Sequence, residues 1–323
     1  MLDAMFYEVF KEEGGALRRY LPDGMRAGFT EKTIQDYSSL KLPAPVISLR
    51  TQSRIPKDWA GRLRGILTRS AGHDHIAGYL KATQTQIPCG YLPEYCARAV
   101  AEHAVLLALA LLRKLKLQMK HLVEFRRDDI TGRECRDRNV LIIGVGNIGM
   151  QVLDITQGLR MNALGVDIDP KTDNVAYTSL KKGVPWADII ICAVPLTGET
   201  RGMLNYQVLK KAKRGMILVN VARGEIAPVE GLARLLSEGI LGGLGLDVYE
   251  KEDLLAECAR RACPPKDKTV KMTLKLQKYN NVIFTPHNAF NTEESVERKA
   301  SQSMQAVAEF LKTNRFPHPV PVL

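Results

Sequence analysis

Nowhere in this chain do about 18 apolar residues run together, the length a membrane-spanning helix needs. The richest run, Ala104 to Leu112, is far shorter and ends in Arg113 and Lys114, so it reads as a buried helix. No basic stretch leading into an apolar one opens the chain, and Asp3 stands early in MLDAMFYEVFKEE. No secretory leader is therefore expected, and the cytoplasm is the default location. The six cysteines form no C-x-x-C pair, which argues against a zinc site or a disulfide framework. Cys258 and Cys263, beside Arg260 and Arg261, are expected to be two reduced thiols. No metal is expected. Basic residues outnumber acidic ones, for a net charge of +11, yet they are spread out with no aromatic interleaving. That speaks against a nucleic-acid reader and for small anionic ligands. The densest basic stretch, 266–278, reads as an exposed helix or loop.

With 323 residues, of which 45% are hydrophobic and 25% charged, the chain is an ordinary soluble composition too long for one core. Single cores seldom grow beyond about 250 residues, so two domains with a cleft are expected. Up to residue 100, short apolar runs (Ala4 to Phe10, Val46 to Leu49, Trp59 to Leu67) alternate with polar helical stretches, which suggests an α/β layer with a parallel sheet. A long helix from about Val100 to Leu117 follows. Beyond it β and α signals repeat, with buried parallel strands expected at 139–143, 163–167, 187–194, 215–220, 243–247 and 281–285 and a helix at 231–238.

The stretch VLIIGVGNIGMQV places Gly144, Gly146 and Gly149 directly after an apolar strand and at the start of a helix. A dinucleotide site needs that context: a tight turn, backbone open to the pyrophosphate, and close packing of the helix. Asp167, or Asp169 two residues on, ends the next strand, where a carboxylate accepts ribose hydroxyls and repels a 2′-phosphate. NAD is therefore expected over NADP, with Lys171 tempering that choice. Hydride transfer to a keto acid also needs a cation for the carboxylate, a proton donor for the carbonyl oxygen, and a group to hold that donor charged. Arg223 in VNVARGEI, Glu252 in GLDVYEKE and His287 in FTPHNAFNT each follow an expected strand, so they can converge beyond the carboxyl ends. Taken by itself, His287 could equally be an ordinary loop histidine.

From about Leu67 to Arg298 the chain resembles the D-isomer-specific 2-hydroxyacid dehydrogenases. The resemblance lies in TRSAGHDHI (68–76), ARAVAEHAVLLALALLRKL (97–115), GVGNIG (144–149), AVPLTGETRGMLN (193–205), LVNVARGEI (218–226), GGLGLDVYEKE (242–252) and NVIFTPHNAF (281–290). It implies two doubly wound parallel-sheet α/β domains. A discontinuous flavodoxin-like substrate domain would span 1–97 and 297–323, and a Rossmann NAD-binding domain 98–296. It also implies a homodimer formed through the NAD-binding domain, with the helix beginning near Val100 at the interface.

The resemblance puts the substrate-carboxylate arginine at Arg223, the acid/base histidine at His287, and its glutamate partner at Glu252, five residues after Asp247, rather than at Glu250. Backbone N–H groups of Ser70, Ala71 and Gly72 would meet the substrate carboxylate, and Asp247 would face the nicotinamide carboxamide. Val100, Asn147, Ile148, Ile168, Val194, Pro195, Thr200 and Ala222 would line the cofactor with the glycines, Asp167 and His287. The departures are Cys96-Ala97-Arg98 where the family reads Ser-Pro, and a weak match over the first 66 residues. The long segment 253–278 and HNAF look most like the D-lactate dehydrogenase branch. Tyr95 and Phe290 would then touch a small apolar side chain, or simply pack. His73, His75 and His103 are expected in packing or loop roles. The implied activity is reversible hydride transfer between NADH and a small 2-oxo acid, pyruvate to D-lactate. Alternatives are a hydroxypyruvate/glyoxylate reductase, a phosphoglycerate dehydrogenase-like enzyme, which usually carries an extra regulatory domain, and an NAD(H)-sensing protein like the C-terminal-binding corepressors.

Overall fold

The computed structural model describes residues 2–37, 41–170 and 172–321, so Lys171 lies outside the described residues. The chain forms two compact units, Met1–Cys96 with Asn291–Leu323, and Ala97–Phe290. In the first, short apolar runs become five parallel strands: β1 (Ala4–Phe6), β2 (Ala27–Phe29), β3 (Val46–Leu49), β4 (Gly65–Thr68) and β5 (Cys89–Gly90), in the order β2-β1-β3-β4-β5. Every position of β1, β3 and β4 is buried, as a parallel sheet covered on both faces requires. Helices α1 (Lys11–Arg19) and α2 (Asp74–Thr83) belong here, and the last helix, Glu293–Thr313, returns to pack on α1 and β4. Its approach to β4 depends on Gly65, where a Cβ would meet the Phe310 ring at 2.6 Å.

The second unit opens with α3 (Ala97–Leu112) and α4 (Leu115–His121), then winds β6 (Asn139–Ile143), α5 (Asn147–Gly158), β7 (Asn162–Val166), β8 (Ala176–Tyr177), α6 (Leu180–Trp186), β9 (Ile189–Cys192), α7 (Tyr206–Leu209), β10 (Met216–Asn220), α8 (Val229–Ser237), β11 (Leu241–Leu246), α9 (Glu252–Arg261), α10 (Lys268–Leu276) and β12 (Val282–Phe284). The final helix is therefore α11. All seven strands are parallel, in the order β12-β11-β10-β9-β6-β7-β8. The two doubly wound layers expected from sequence are both present. Between β6 and β9 the winding reverses, and a crevice opens at the carboxyl ends of strands where this happens.

The long helix expected to reach Leu117 is broken. The α3 carbonyl of Leu112 takes the N–H of Arg133 at 2.9 Å instead of continuing its own ladder, and Lys114 turns left-handed at φ +52° before α4 begins. A Cβ at Gly132 would stand 2.7 Å from that carbonyl oxygen, so a tertiary contact ends the helix. The basic stretch 266–278 forms α10, which Asp267 caps by accepting the N–H of Thr269 at 2.8 Å. Val270, Thr273 and Leu276 face its core while the lysines face solvent.

Candidate active site

Strand β6 runs into Gly144, whose φ of +89° an L side chain rarely adopts and where a Cβ would press to 2.9 Å on the Ala193 carbonyl oxygen. Gly149, in the first turn of α5, approaches so closely that a Cβ would lie 1.9 Å from the Gly144 oxygen. Beyond Gly146 the space is open, and Asn147 and Ile148 begin the helix, whose first N–H groups have no intrahelical acceptor. At the end of β7, Asp167 Oδ2 accepts the Val145 N–H at 2.7 Å and Oδ1 accepts the Asp169 N–H at 3.0 Å. Asp167 thus touches the glycine loop, and it retains lone pairs for a ligand. Next to it Ile168 leaves an apolar side chain 94% exposed. After β9, the Thr200 hydroxyl donates to the Pro195 carbonyl at 2.7 Å and shapes the loop beside Val194. Val100 and Ala222 are buried. An open backbone turn, a helix N-terminus and a carboxylate on the neighbouring strand fit a dinucleotide such as NAD.

At the end of β10, the buried side chain of Asn220 donates to the Arg223 carbonyl at 2.9 Å and accepts the Ala222 N–H at 3.0 Å. Arg223 Nη1 donates to the Ala222 carbonyl at 2.8 Å. At the end of β11, Asp247 is only 1% exposed. Its carboxylate accepts the Thr285 hydroxyl at 2.5 Å and the N–H groups of Asn288 and Ala289 at 2.8 and 2.9 Å. That carboxylate, expected at the nicotinamide carboxamide, holds the loop after β12 through these bonds. Within this loop the His287 N–H donates to Thr285 O at 2.9 Å, across Pro286, and His287 sits at φ +52°. A left-handed histidine costs free energy and persists only when its surroundings impose it, as functional sites often do.

His287 Nδ1 lies 2.6 Å from Glu252 Oε1, with the two side chains 25% and 23% exposed. Glu252 is the first residue of α9. Glu250 points elsewhere: its Oε2 accepts the Val229 N–H at 2.7 Å at the start of α8, and burial pushes its carboxyl above the ordinary range.

Sequence reasoning missed a second layer. His103 Nε2 lies 3.0 Å from Thr285 Oγ1 and 3.8 Å from Asp247 Oδ1. Because the threonine hydrogen goes to the carboxylate, Nε2 is the donor to threonine, so a chain from His103 through Thr285 to Asp247 runs beneath the His287 loop. Burial holds His103 below its ordinary value while Asp247 opposes. Tyr249 places its hydroxyl 2.6 Å from the Thr285 carbonyl oxygen, and burial raises it strongly. The only sequence signal for Asn220, Thr285 and Tyr249 is that each closely follows an apolar strand. Arg98, part of the departure from the family pattern and in the first turn of α3, forms a surface ion-pair set with Glu102 at 2.6 Å and Asp154 at 3.1 Å.

In the first unit β4 leads through Arg69 into Ser70, Ala71 and Gly72. The Ser70 hydroxyl donates to the Gly72 carbonyl at 2.7 Å, and among the described residues nothing accepts the backbone N–H groups of these three residues. His75 Nε2 lies 3.0 Å from Thr68 Oγ1, and His73 stands edge-on to Tyr91 at 4.8 Å. Tyr95 is buried in this unit and its hydroxyl is raised by burial first and then by Cys96. Phe290 is buried in the second unit.

Residues 105–289 match the family model described as D-isomer specific 2-hydroxyacid dehydrogenase, NAD binding domain. A D-lactate dehydrogenase of Streptococcus agalactiae is 32% identical over 258 residues, covering 78% of this chain and 77% of that protein. An aromatic 2-oxoacid reductase of Clostridium sporogenes is 31% identical over 254 residues, 77% of this chain and 76% of that one. Among solved structures, D-lactate dehydrogenase from Aquifex aeolicus complexed with NAD and lactic acid superposes with a TM-score of 0.85 at 27% identity, over 98% of this chain and 99% of that one.

Proposed function

The chain belongs to the D-isomer specific 2-hydroxyacid dehydrogenase family and is an NAD-dependent oxidoreductase; from that premise we propose that it interconverts pyruvate and D-lactate. The relatives named D-lactate dehydrogenases support the substrate pair. For the chemistry, the carrying observation is the 2.6 Å contact between His287 Nδ1 and Glu252 Oε1. With Nδ1 taken, Nε2 is the nitrogen that hands a proton to the substrate oxygen in reduction and takes it back in oxidation. Glu252 orients the ring. Arg223 binds the planar carboxylate through paired charge-assisted hydrogen bonds, on backbone pinned by Asn220. When bound, the nicotinamide supplies the hydride for the carbonyl carbon. Asp247 serves by holding the loop that carries His287.

In the first unit the N–H groups of Ser70, Ala71 and Gly72 are, in this reading, further donors to the acid's carboxylate, and Tyr95 and Phe290 are the rings assigned to its small side chain. NADH is preferred over NADPH because Asp167 repels a 2′-phosphate, while Ile168 offers its exposed face to the adenine. A homodimer covers the apolar side chains that the second unit leaves in solvent. Among these are Leu106 on α3, Met119 on α4, and Val123 and Phe125 after it, 56%, 67%, 90% and 74% exposed.

The test is NADH oxidation by the purified protein with pyruvate, hydroxypyruvate, glyoxylate, phenylpyruvate and a branched 2-oxo acid, with product chirality determined and NADPH run alongside. Pyruvate preferred, with D-lactate as product, is the expected result. Preference for another acid overturns the substrate assignment, and tight NADH binding without any turnover points to a sensing protein.

A further inference from the structure

Every polar atom of Thr285, just past β12, is engaged, and its partners come from separate segments of the second unit. Its N–H donates to the Leu246 carbonyl at 3.0 Å. Its carbonyl accepts the Tyr249 hydroxyl at 2.6 Å and the His287 N–H at 2.9 Å. Its hydroxyl donates to Asp247 Oδ1 at 2.5 Å and accepts from His103 Nε2, 3.0 Å away on α3. Pro286 follows, with φ fixed by its ring, and then His287 at φ +52°. The next two residues, Asn288 and Ala289, return their N–H groups to Asp247 at 2.8 and 2.9 Å. His287 is thus bracketed on both sides by residues bound to one carboxylate.

His103 gives the first of these brackets its direction. A threonine hydroxyl carries one hydrogen and rotates among staggered positions, and accepting from Nε2 turns that hydrogen toward Asp247. The side chains of His103 and Asp247 are 19% and 1% exposed, so water competes weakly for these bonds and each is stronger than it would be at the surface. Burial holds the imidazole below its ordinary value, against the pull of Asp247, which keeps it neutral near neutral pH with its single proton on Nε2. We propose that His103 is a positioning residue for the proton transfer: by donating to Thr285 it fixes the threonine hydroxyl on Asp247, and so holds the loop that presents His287. This rests on the reading of His287 as the acid/base group. His103 acts through Thr285 and Asp247 and needs no contact with the substrate. A reacting group misplaced by about 1 Å can lose up to about 10²-fold in rate, and loss of one hydrogen bond in the layer beneath it should cost part of that.

The experiment compares wild type, His103→Leu and His103→Gln on the 2-oxo acid that wild type reduces fastest. Leucine fills the space without a donor, whereas the glutamine amide keeps an N–H for Thr285. In His103→Leu kcat should fall roughly tenfold, and the solvent deuterium isotope effect on kcat should grow because proton transfer then limits the rate. KM and NADH affinity should stay within about twofold, since the groups that bind acid and cofactor are untouched. His103→Gln should recover most of the lost rate. A merely structural role would instead lower kcat, NADH affinity and melting temperature together, with the isotope effect unmoved and glutamine no better than leucine, and that pattern overturns the proposal. A wild-type kcat in His103→Leu overturns it too and leaves the functional reading standing. No turnover of any 2-oxo acid by the wild type overturns both. Should the His103 variants not fold, Thr285→Val, which removes the hydroxyl, is set against Thr285→Ser, which keeps it. The valine variant should show the same loss of kcat and the same larger isotope effect, and equal rates in the two overturn the proposal.

Discussion

Two carboxylates that meet basic side chains stand just past the strand ends of the two sheets, and their settings are opposite. Glu13 with Arg69 and Lys299 is wholly buried, tied to three strands and two helices, with no side chain in a left-handed conformation. Glu252 with His287 is about a quarter exposed, lies on loop and helix-end backbone, and includes a histidine at φ +52°. A sealed pair cannot exchange protons with a ligand, so it acts by fixing geometry. An open pair can exchange them, and the strain at His287 is held in place by the Asp247 carboxylate beneath it.

The largest way to break the comparison is His287→Ala. In that variant kcat should fall by about 10²–10⁴-fold, the usual contribution of general acid–base catalysis, while NADH affinity measured by fluorescence titration stays unchanged. Turnover at the wild-type rate would assign the proton to another group. Next is Glu13→Gln, which removes the anion from a sealed cluster and should cost about 3 kcal/mol by chemical denaturation at neutral pH. The sign with pH follows from its lowered value. Glu13 contributes stability above its unfolded value of 4.5 and loses it as pH falls toward about 2. The gap between variant and wild type should therefore close across that window, and a gap constant down to the acid limit would show that packing rather than charge is responsible. Smallest is Arg98→Ala. Its partners Glu102 and Asp154 are about half and three-quarters exposed, and solvent-screened pairs contribute little, so the melting temperature should not change measurably.

Much of this was legible before any coordinates. Apolar runs such as Val140 to Ile143 and Ile189 to Cys192 have no polar alternation, so they could only be strands covered on both faces, and they form the middle of the seven-stranded sheet. The glycines of GVGNIG carry their own constraint, because a Cβ at Gly144 or Gly149 collides with backbone. The two-residue strand β8 was not legible, since Ala176 and Tyr177 offer no period to read. The break in the helix at Leu112 was hidden too, because its cause is the N–H of Arg133, 21 residues away in the chain.

Glu250 and Glu252 lie two residues apart with the same chemistry, and only the spacing implied by the resemblance, five residues after Asp247, singled out Glu252 in the sequence. The N–H of Val229, at the head of another helix, takes the first and leaves the second to His287. For Asp247 the resemblance implied a place beside the nicotinamide carboxamide, and local pattern gave no sign of its hold on the chain. The loop 285–289 folds back and donates three hydrogen bonds to its carboxylate.

By itself, the sequence determined the α/β class, the parallel sheets, the glycine turn and the set of charged residues past the strands, because these follow from local pattern and from steric limits within a few residues. Only the tertiary structure decided which carboxylate meets which cation, where a helix stops, and which charges are sealed from water. Those outcomes depend on hydrogen-bond partners and solvent exclusion supplied by segments far apart in the chain, and local pattern does not encode them.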